Sequence, residues 1–209
     1  MRCAGPGKPA PNKLVSKVFF SPGQRVALFG GSFDPPHDGH RRLALAALKA
    51  LQVDFVWWLV APQNPLKAHQ PGAMATRLAA TRACAAHPRF LVSDEETRLG
   101  TRYACDTIRA LKARHPGVDF IWLIGADNLA QLHRWKDWQG LMHEVPLAVY
   151  PRPTKTLKAL AAPAAQRFAH ARLATQDAAR LARRKTPAWV ILSGRQSPLA
   201  SSAMRGAKK

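Results

Sequence analysis

Val26-Ala27-Leu28-Phe29-Gly30-Gly31-Ser32-Phe33-Asp34-Pro35-Pro36-His37-Asp38-Gly39-His40 is the stretch from which the chain is best read. Its opening apolar run has the pattern of a parallel strand buried on both faces. The run breaks at Gly30-Gly31, where the backbone is free to take positive φ and to approach a ligand closely. Pro35 and Pro36 stiffen the turn that follows. Over residues 41–51 the spacing becomes helical, and Leu43, Ala47, Leu48 and Leu51 can share one face. His37 and His40 therefore sit between the C-terminal end of a strand and the N-terminus of a helix. Exposed N–H groups and the helix dipole favour an anion there. Imidazole can donate a hydrogen bond when neutral, and it can carry positive charge beside a phosphate. Two histidines three apart could also be a metal pair, but no third ligand of convincing spacing lies nearby.

A chain of 209 residues suits one domain with a sizeable core. Thirty-two Lys and Arg against twelve Asp and Glu leave a formal charge of +20, which implies anionic partners. Much of that charge also reads as solvated helix surface and tails. No interleaved aromatic and basic motif suited to stacking bases is present. Cys3, Cys84 and Cys105 have neither metal-type spacing nor the makings of a disulfide framework, so a reducing cytoplasm is expected. The N-terminus has no apolar signal core, only Val18-Phe19-Phe20, and no apolar run approaches the length of a membrane span.

Residues 1–24 are rich in Pro, Gly and Lys and are expected to be a disordered basic extension, apart from an apolar patch at residues 14–20. Further buried strands are predicted at residues 54–61, 90–93, 119–125, 145–150 and 189–193. Helices are predicted at residues 73–86 and 101–114, and at 164–184 after a break at Pro163. Asp94-Glu95-Glu96 forms an acidic patch that could simply end a strand. Strands alternating with helices imply a parallel sheet covered on both faces. Lys67 leaves the C-terminal end of the second strand, where it could meet a phosphate or be merely solvated. Asp127, straight after the fourth strand, could take a ribose hydroxyl or an adenine amino group, or cap a helix. Trp138 and Leu141 are expected in the core.

Gly-Gly-Ser-Phe-x-Pro-x-His-x-Gly-His, at residues 30–40, resembles the nucleotide-binding motif of the nucleotidyltransferase superfamily of adenylyl- and cytidylyltransferases. The form GGSFDPPHDGH is most similar to bacterial nicotinate-nucleotide adenylyltransferases, enzymes of NAD biosynthesis. The resemblance implies a Rossmann-like, doubly wound parallel sheet in a single domain over residues 25–205, with 206–209 as a basic tail. Its strand order places strands one and four side by side, gathering Gly30, Gly31, His37, His40 and Asp127 around one crevice. His37 and His40 are implied as the catalytic pair on the ATP phosphates. Ser32, Phe33, Lys67, Gly125 and Asp127 complete the implied ATP site. Pro198-Leu199-Ala200-Ser201-Ser202-Ala203-Met204-Arg205 resembles the superfamily's Ile-Ser-Ser-Thr-x-Ile-Arg, which adds Ser201, Ser202 and Arg205. Hydroxyls and an arginine suit polyphosphate, and a loose basic tail is the alternative. Ala200 departs from the first serine.

For nicotinate mononucleotide the resemblance implies Tyr103, Asp106, Thr107, Trp135 and Arg152. Tyr103, Asp106 and Thr107 match Tyr-Thr-x-Asp-Thr-Leu, with Ala104 in place of the usual threonine. Trp135 stands eight residues after Asp127, as in the family, and an indole suits a flat heteroaromatic ring. Without the family, Tyr103 reads as a packing aromatic. The implied reaction is adenylyl transfer from ATP to nicotinate mononucleotide, with Mg²⁺ arriving on ATP and no dedicated protein metal site. The alternatives are nicotinamide mononucleotide or another phosphorylated acceptor. A basic nucleic-acid-binding module would explain the charge but not the His-x-Gly-His turn. A homo-oligomer is compatible with the sequence.

Overall fold

Alternation along the first strand builds two cores. β1 (Arg25–Gly31) sends Val26 and Leu28 to one face and Ala27 and Phe29 to the other, all four buried. The computed structural model describes residues 18–62, 70–152 and 155–193. The strands that join β1 are β2 (Phe55–Val60), β3 (Phe90–Ser93), β4 (Asp119–Gly125), β5 (Leu147–Tyr150), β6 (Arg172–Leu173) and β7 (Trp189–Ile191). Their order is β3-β2-β1-β4-β5-β7-β6, and every described pairing is parallel. The chain builds outward from β1 through β2 and β3, then returns to lay β4 on the other side of β1. That reversal is where an open α/β sheet binds its ligand.

In chain order the helices are α1 (Asp38–Leu51), α2 (Met74–Cys84), α3 (Glu95–Leu99), α4 (Ala104–Arg114), α5 (Ala126–Leu129), α6 (Trp138–Glu144), α7 (Thr156–Leu160) and α8 (Pro163–Arg167). α1 and α2 cover the Ala27/Phe29 face; α4, α6, α7 and α8 cover the Val26/Leu28 face. The tryptophans in the strands need partners for their N–H groups when buried. Trp57 Nε1 donates to Ser93 Oγ at 2.9 Å, and Trp189 Nε1 to the Phe168 carbonyl at 2.7 Å. Trp138 and Leu141 both pack into the Val26/Leu28 core.

Two expectations need correction. The packed domain begins before Arg25: Val18 is buried, and the Phe20 ring lies edge-on to Trp57 and His115, at 5.3 Å from each. The single helix predicted over 164–184 is broken. After α8 the chain makes a short 3-10 turn, pairs β6 with β7, and enters a second 3-10 segment over Thr175–Arg183. Ala and Arg give that segment helix propensity, but an open sheet edge at Trp189 and Val190 offers backbone hydrogen bonds that propensity does not outweigh. Among the described residues no helix is long and apolar enough to cross a membrane.

Candidate active site

β1 and β4 part company before they end. β1 pairs with β2 through Gly31, but with β4 only as far as Leu28↔Trp122. β4 continues alongside β5 to Gly125. A crevice therefore opens between the ends of β1 and β4, and the site residues line its banks.

The two glycines are needed for a different reason than expected. Neither takes a positive φ; both are ordinary strand residues. A Cβ on Gly30 would stand 2.7 Å from Cη2 of Trp122, so the missing side chain makes room for that indole. The left-handed residue is Phe33, with φ of 44°. Such a conformation costs a non-glycine residue roughly 1–3 kcal/mol. Burial of the ring offsets it: Phe33 is 2% exposed. The ring stands edge-on to Phe29 at 5.2 Å and to His40 at 5.1 Å, and tilts against Trp58 at 5.1 Å. The Phe33 ring thus packs directly against His40.

His37 is the residue from which α1 starts. Its main-chain N–H donates to Nδ1 of His40 at 3.2 Å, and its carbonyl accepts from the His40 N–H at 2.9 Å. The two rings stack with centroids 3.8 Å apart. Because Nδ1 of His40 is an acceptor, the neutral ring carries its proton on Nε2. His37 is 5% exposed, and neither ring nitrogen has a hydrogen-bond partner among the described residues. Burial, and then the Arg152 cation, hold its pKa below the ordinary value, while Asp38 and Asp127 oppose them. A buried imidazole with two unanswered nitrogens is a ready partner for an incoming oxygen.

The opposite bank carries Asp127 and Arg152. Arg152 Nε meets Asp127 Oδ1 at 2.8 Å. Gly125 lies beneath this pair; a Cβ there would collide with the Asp127 carboxylate and come within 3.1 Å of Arg152 Nε. Thr156 ties down the Arg152 backbone: its hydroxyl accepts from the Arg152 N–H at 3.0 Å and donates to the Arg152 carbonyl at 2.9 Å. Sequence reasoning had assigned these residues to different substrates; the fold joins them as an ion pair.

A second group gathers at the start of α4. Lys136 Nζ lies 4.4 Å from the centroid of the Tyr103 ring, and half-buried Trp135 precedes it in the same loop. Thr107 lies in the first turn of α4. It is fully buried, with its hydroxyl donating to the Tyr103 carbonyl at 3.2 Å and 2.8 Å from the Thr101 hydroxyl. It shapes the Tyr103 turn. Asp106 is exposed, 3.9 Å from Arg109, which also binds Asp137 and Glu144 at 2.9 Å each. Lys67, Ser201, Ser202 and Arg205 lie outside the described residues.

Sequence reasoning passed over one buried ionisable residue, Arg77, and read another, Glu96, only as part of an acidic patch. Arg77, on α2, is 4% exposed and donates to main-chain carbonyls. Its one sequence signal is that Arg77 and Thr81, four apart, hold the buried face of an alanine-rich helix. Glu96, on α3, lies 3.8 Å from where a Gly30 Cβ would stand. Its neighbour Glu95 binds Arg114 at 2.8 Å, whereas burial alone pushes the Glu96 carboxyl up from 4.5 to about 7. The folded protein thus keeps the Glu96 proton to a higher pH than the unfolded chain does. This term stabilises below 4.5 and is lost as pH rises through about 7. Glu96→Gln is therefore expected to raise Tm by a few degrees near pH 8 and much less near pH 5, which thermal unfolding at the two pH values checks.

Residues 28–205 match the family model described as cytidylyltransferase-like. A Caulobacter sp. (strain K31) protein named "Probable nicotinate-nucleotide adenylyltransferase" is 52% identical over 183 residues, covering 87% of this chain and 97% of the relative. One of the same name from Bradyrhizobium sp. (strain ORS 278) is 51% identical over 182 residues, covering 87% and 95%. Among solved structures, Plasmodium falciparum nicotinic acid mononucleotide adenylyltransferase complexed with NaAD superposes with a TM-score of 0.65 at 16% identity. That alignment covers 88% of this chain and 83% of the other, and it bears on the fold alone. The chain belongs to the cytidylyltransferase-like family and, within it, to the nicotinate-nucleotide adenylyltransferases.

Proposed function

We propose that the chain transfers the adenylyl group of MgATP to the 5′-phosphate of nicotinate mononucleotide, forming nicotinate adenine dinucleotide and pyrophosphate. The observation that carries this is the stacked His37–His40 pair at the crevice between β1 and β4. It occurs in a chain about half identical to relatives named for that activity.

An oxygen of the acceptor phosphate attacks the α-phosphorus of ATP in line. The bond from that phosphorus to the bridging oxygen breaks, and its electron pair leaves with pyrophosphate. The nucleophile is already an anion, so no general base is required. Catalysis reduces to positioning and to stabilising charge on the transferred group. His40 suits the second task, because its Nδ1 accepts the His37 N–H, which puts the neutral ring's proton on Nε2 and makes that nitrogen the donor. His37 answers a phosphate oxygen with a nitrogen that has no partner in the protein described. Asp127 offers the adenosine half an acceptor, and Arg152 offers the acceptor's phosphate a cation. Lys67, Ser201, Ser202 and Arg205 are assigned to the leaving pyrophosphate on the family resemblance. Mg²⁺ arrives bound to the nucleotide, mostly through phosphate and water oxygens. The Lys136 cation over Tyr103 supports a ring bearing a carboxylate over one bearing an amide. The free Cys84 and Cys105 thiols suit a reducing cytoplasm.

The test is pyrophosphate release from MgATP with nicotinate mononucleotide, nicotinamide mononucleotide and phosphopantetheine as separate acceptors. The expected result is at least a tenfold preference in kcat/KM for nicotinate mononucleotide, about 1.4 kcal/mol of discrimination. Equal use of the amide would move the assignment to nicotinamide mononucleotide. Release with phosphopantetheine alone would overturn it.

A further inference from the structure

Arg77 is an expensive residue where it stands. A buried guanidinium must find several acceptors to repay its lost hydration, and burial holds its pKa below the ordinary value. It finds them in three separate pieces of backbone. Nε donates to the Gly72 carbonyl at 2.7 Å. Nη1 donates to the Ser32 carbonyl at 2.9 Å and to the Ala61 carbonyl at 2.8 Å. Nη2 reaches the Pro62 carbonyl at 3.3 Å. These carbonyls belong to the turn after β1, the exit of β2 and the approach to α2. Gly72 is held from the other side as well, since its N–H donates to Asp34 Oδ2 at 3.2 Å. The Asp34 charge also counteracts the effect of burial on Arg77.

The anchored Ser32 carbonyl immediately precedes Phe33, the left-handed residue whose ring stands 5.1 Å from His40. The contacts therefore run without a gap from Arg77 to Ser32, to Phe33, to the His40 imidazole. An apolar side chain would suffice to pack α2 against the sheet. A planar fork that reaches three loops does something a leucine would not: it fixes where the phosphate-binding turn lies relative to the rest of the crevice rim. A lysine, a point charge on a pliant stem, has no fork with which to hold these carbonyls together.

We propose that Arg77 is a positioning residue for adenylyl transfer, setting the placement of His40 through the Ser32-Phe33 turn. The proposal rests on the functional reading above. In Arg77→Lys the turn loses its register while the Tyr103 and Trp135 side of the site is untouched. The expected result is a fall in kcat of about tenfold to a hundredfold and weaker binding of a non-hydrolysable ATP analogue, with KM for nicotinate mononucleotide within about twofold of wild type. Arg77→Ala should recover part of its lost kcat when millimolar guanidinium is added, an effect that a general packing role would not produce. Circular dichroism and thermal unfolding of both variants give the folded fraction to which rates are referred. If the loss simply follows the folded fraction, if both substrates' KM values rise together, or if Arg77→Lys retains wild-type kcat and analogue affinity, the proposal is overturned. Wild-type protein that turns over no acceptor would instead overturn the functional reading. In that case analogue affinity, weaker by about tenfold in Arg77→Lys, still decides the role of Arg77.

Discussion

His40→Ala is expected to lower kcat by about 10²-fold or more, a loss of roughly 3 kcal/mol in transition-state stabilisation. The size follows from how completely the ring is fixed before substrate arrives. Nδ1 accepts the His37 N–H, one face stacks on His37, and the edge of Phe33 meets it from below. A donor held this way needs no reorganisation when charge grows on the α-phosphate. The alanine variant also leaves the His37 N–H without its acceptor, so His40→Asn is the companion, because its amide oxygen can take that N–H. If the asparagine variant folds like wild type and is still slow in pyrophosphate release, the deficit belongs to Nε2. Near-normal turnover in His40→Ala would sink the assignment.

Phe33→Ala is expected to cost about 3–5 kcal/mol of stability, the range for emptying a buried aromatic site. The ring is 2% exposed and packed by Phe29, Trp58 and His40, so little can collapse into the space. At this chain length the loss corresponds to a drop in Tm of about ten degrees. The φ of 44° adds a sharper expectation. Alanine keeps the left-handed strain and loses the ring, whereas glycine loses the ring and sheds the strain. Phe33→Gly should therefore be no less stable than Phe33→Ala in urea unfolding, reversing the usual order of these residues. A glycine variant clearly below the alanine variant would show that the turn is not strained.

What was legible in the sequence was local. The continuous apolar run of β1, its break at Gly30-Gly31 and the His-x-Gly-His spacing all sit within one short stretch, and the parallel sheet followed from strands alternating with helices. What was hidden depended on partners remote in the chain. Gly30 reads as a place for positive φ until Trp122 is found filling the space of its missing side chain. Thr107 reads as one residue of a motif, and nothing in the motif shows that its hydroxyl is held by Thr101 and the Tyr103 carbonyl. Arg172 and Leu173 sit in a segment of helical composition, and only the open edge beside Trp189 makes them a strand. Arg77 carries no motif at all, because its partners are main-chain carbonyls whose residue types do not matter.

The place of β1 in the sheet bears on how this protein is made. β1 is the first described strand to leave the ribosome, yet it ends between β2 and β4. While the next hundred or so residues are synthesised, β2 and β3 can close one side of it. Its other edge, over Arg25–Leu28, has no partner until Asp119–Trp122 emerge. During that interval the nascent chain shows an unpaired strand edge bordered by side chains that end up among the most buried in the fold, a template for a neighbouring chain on the same message. An unpaired β1 edge before β4 arrives is thus a route to aggregation that the stability of the finished fold does not remove.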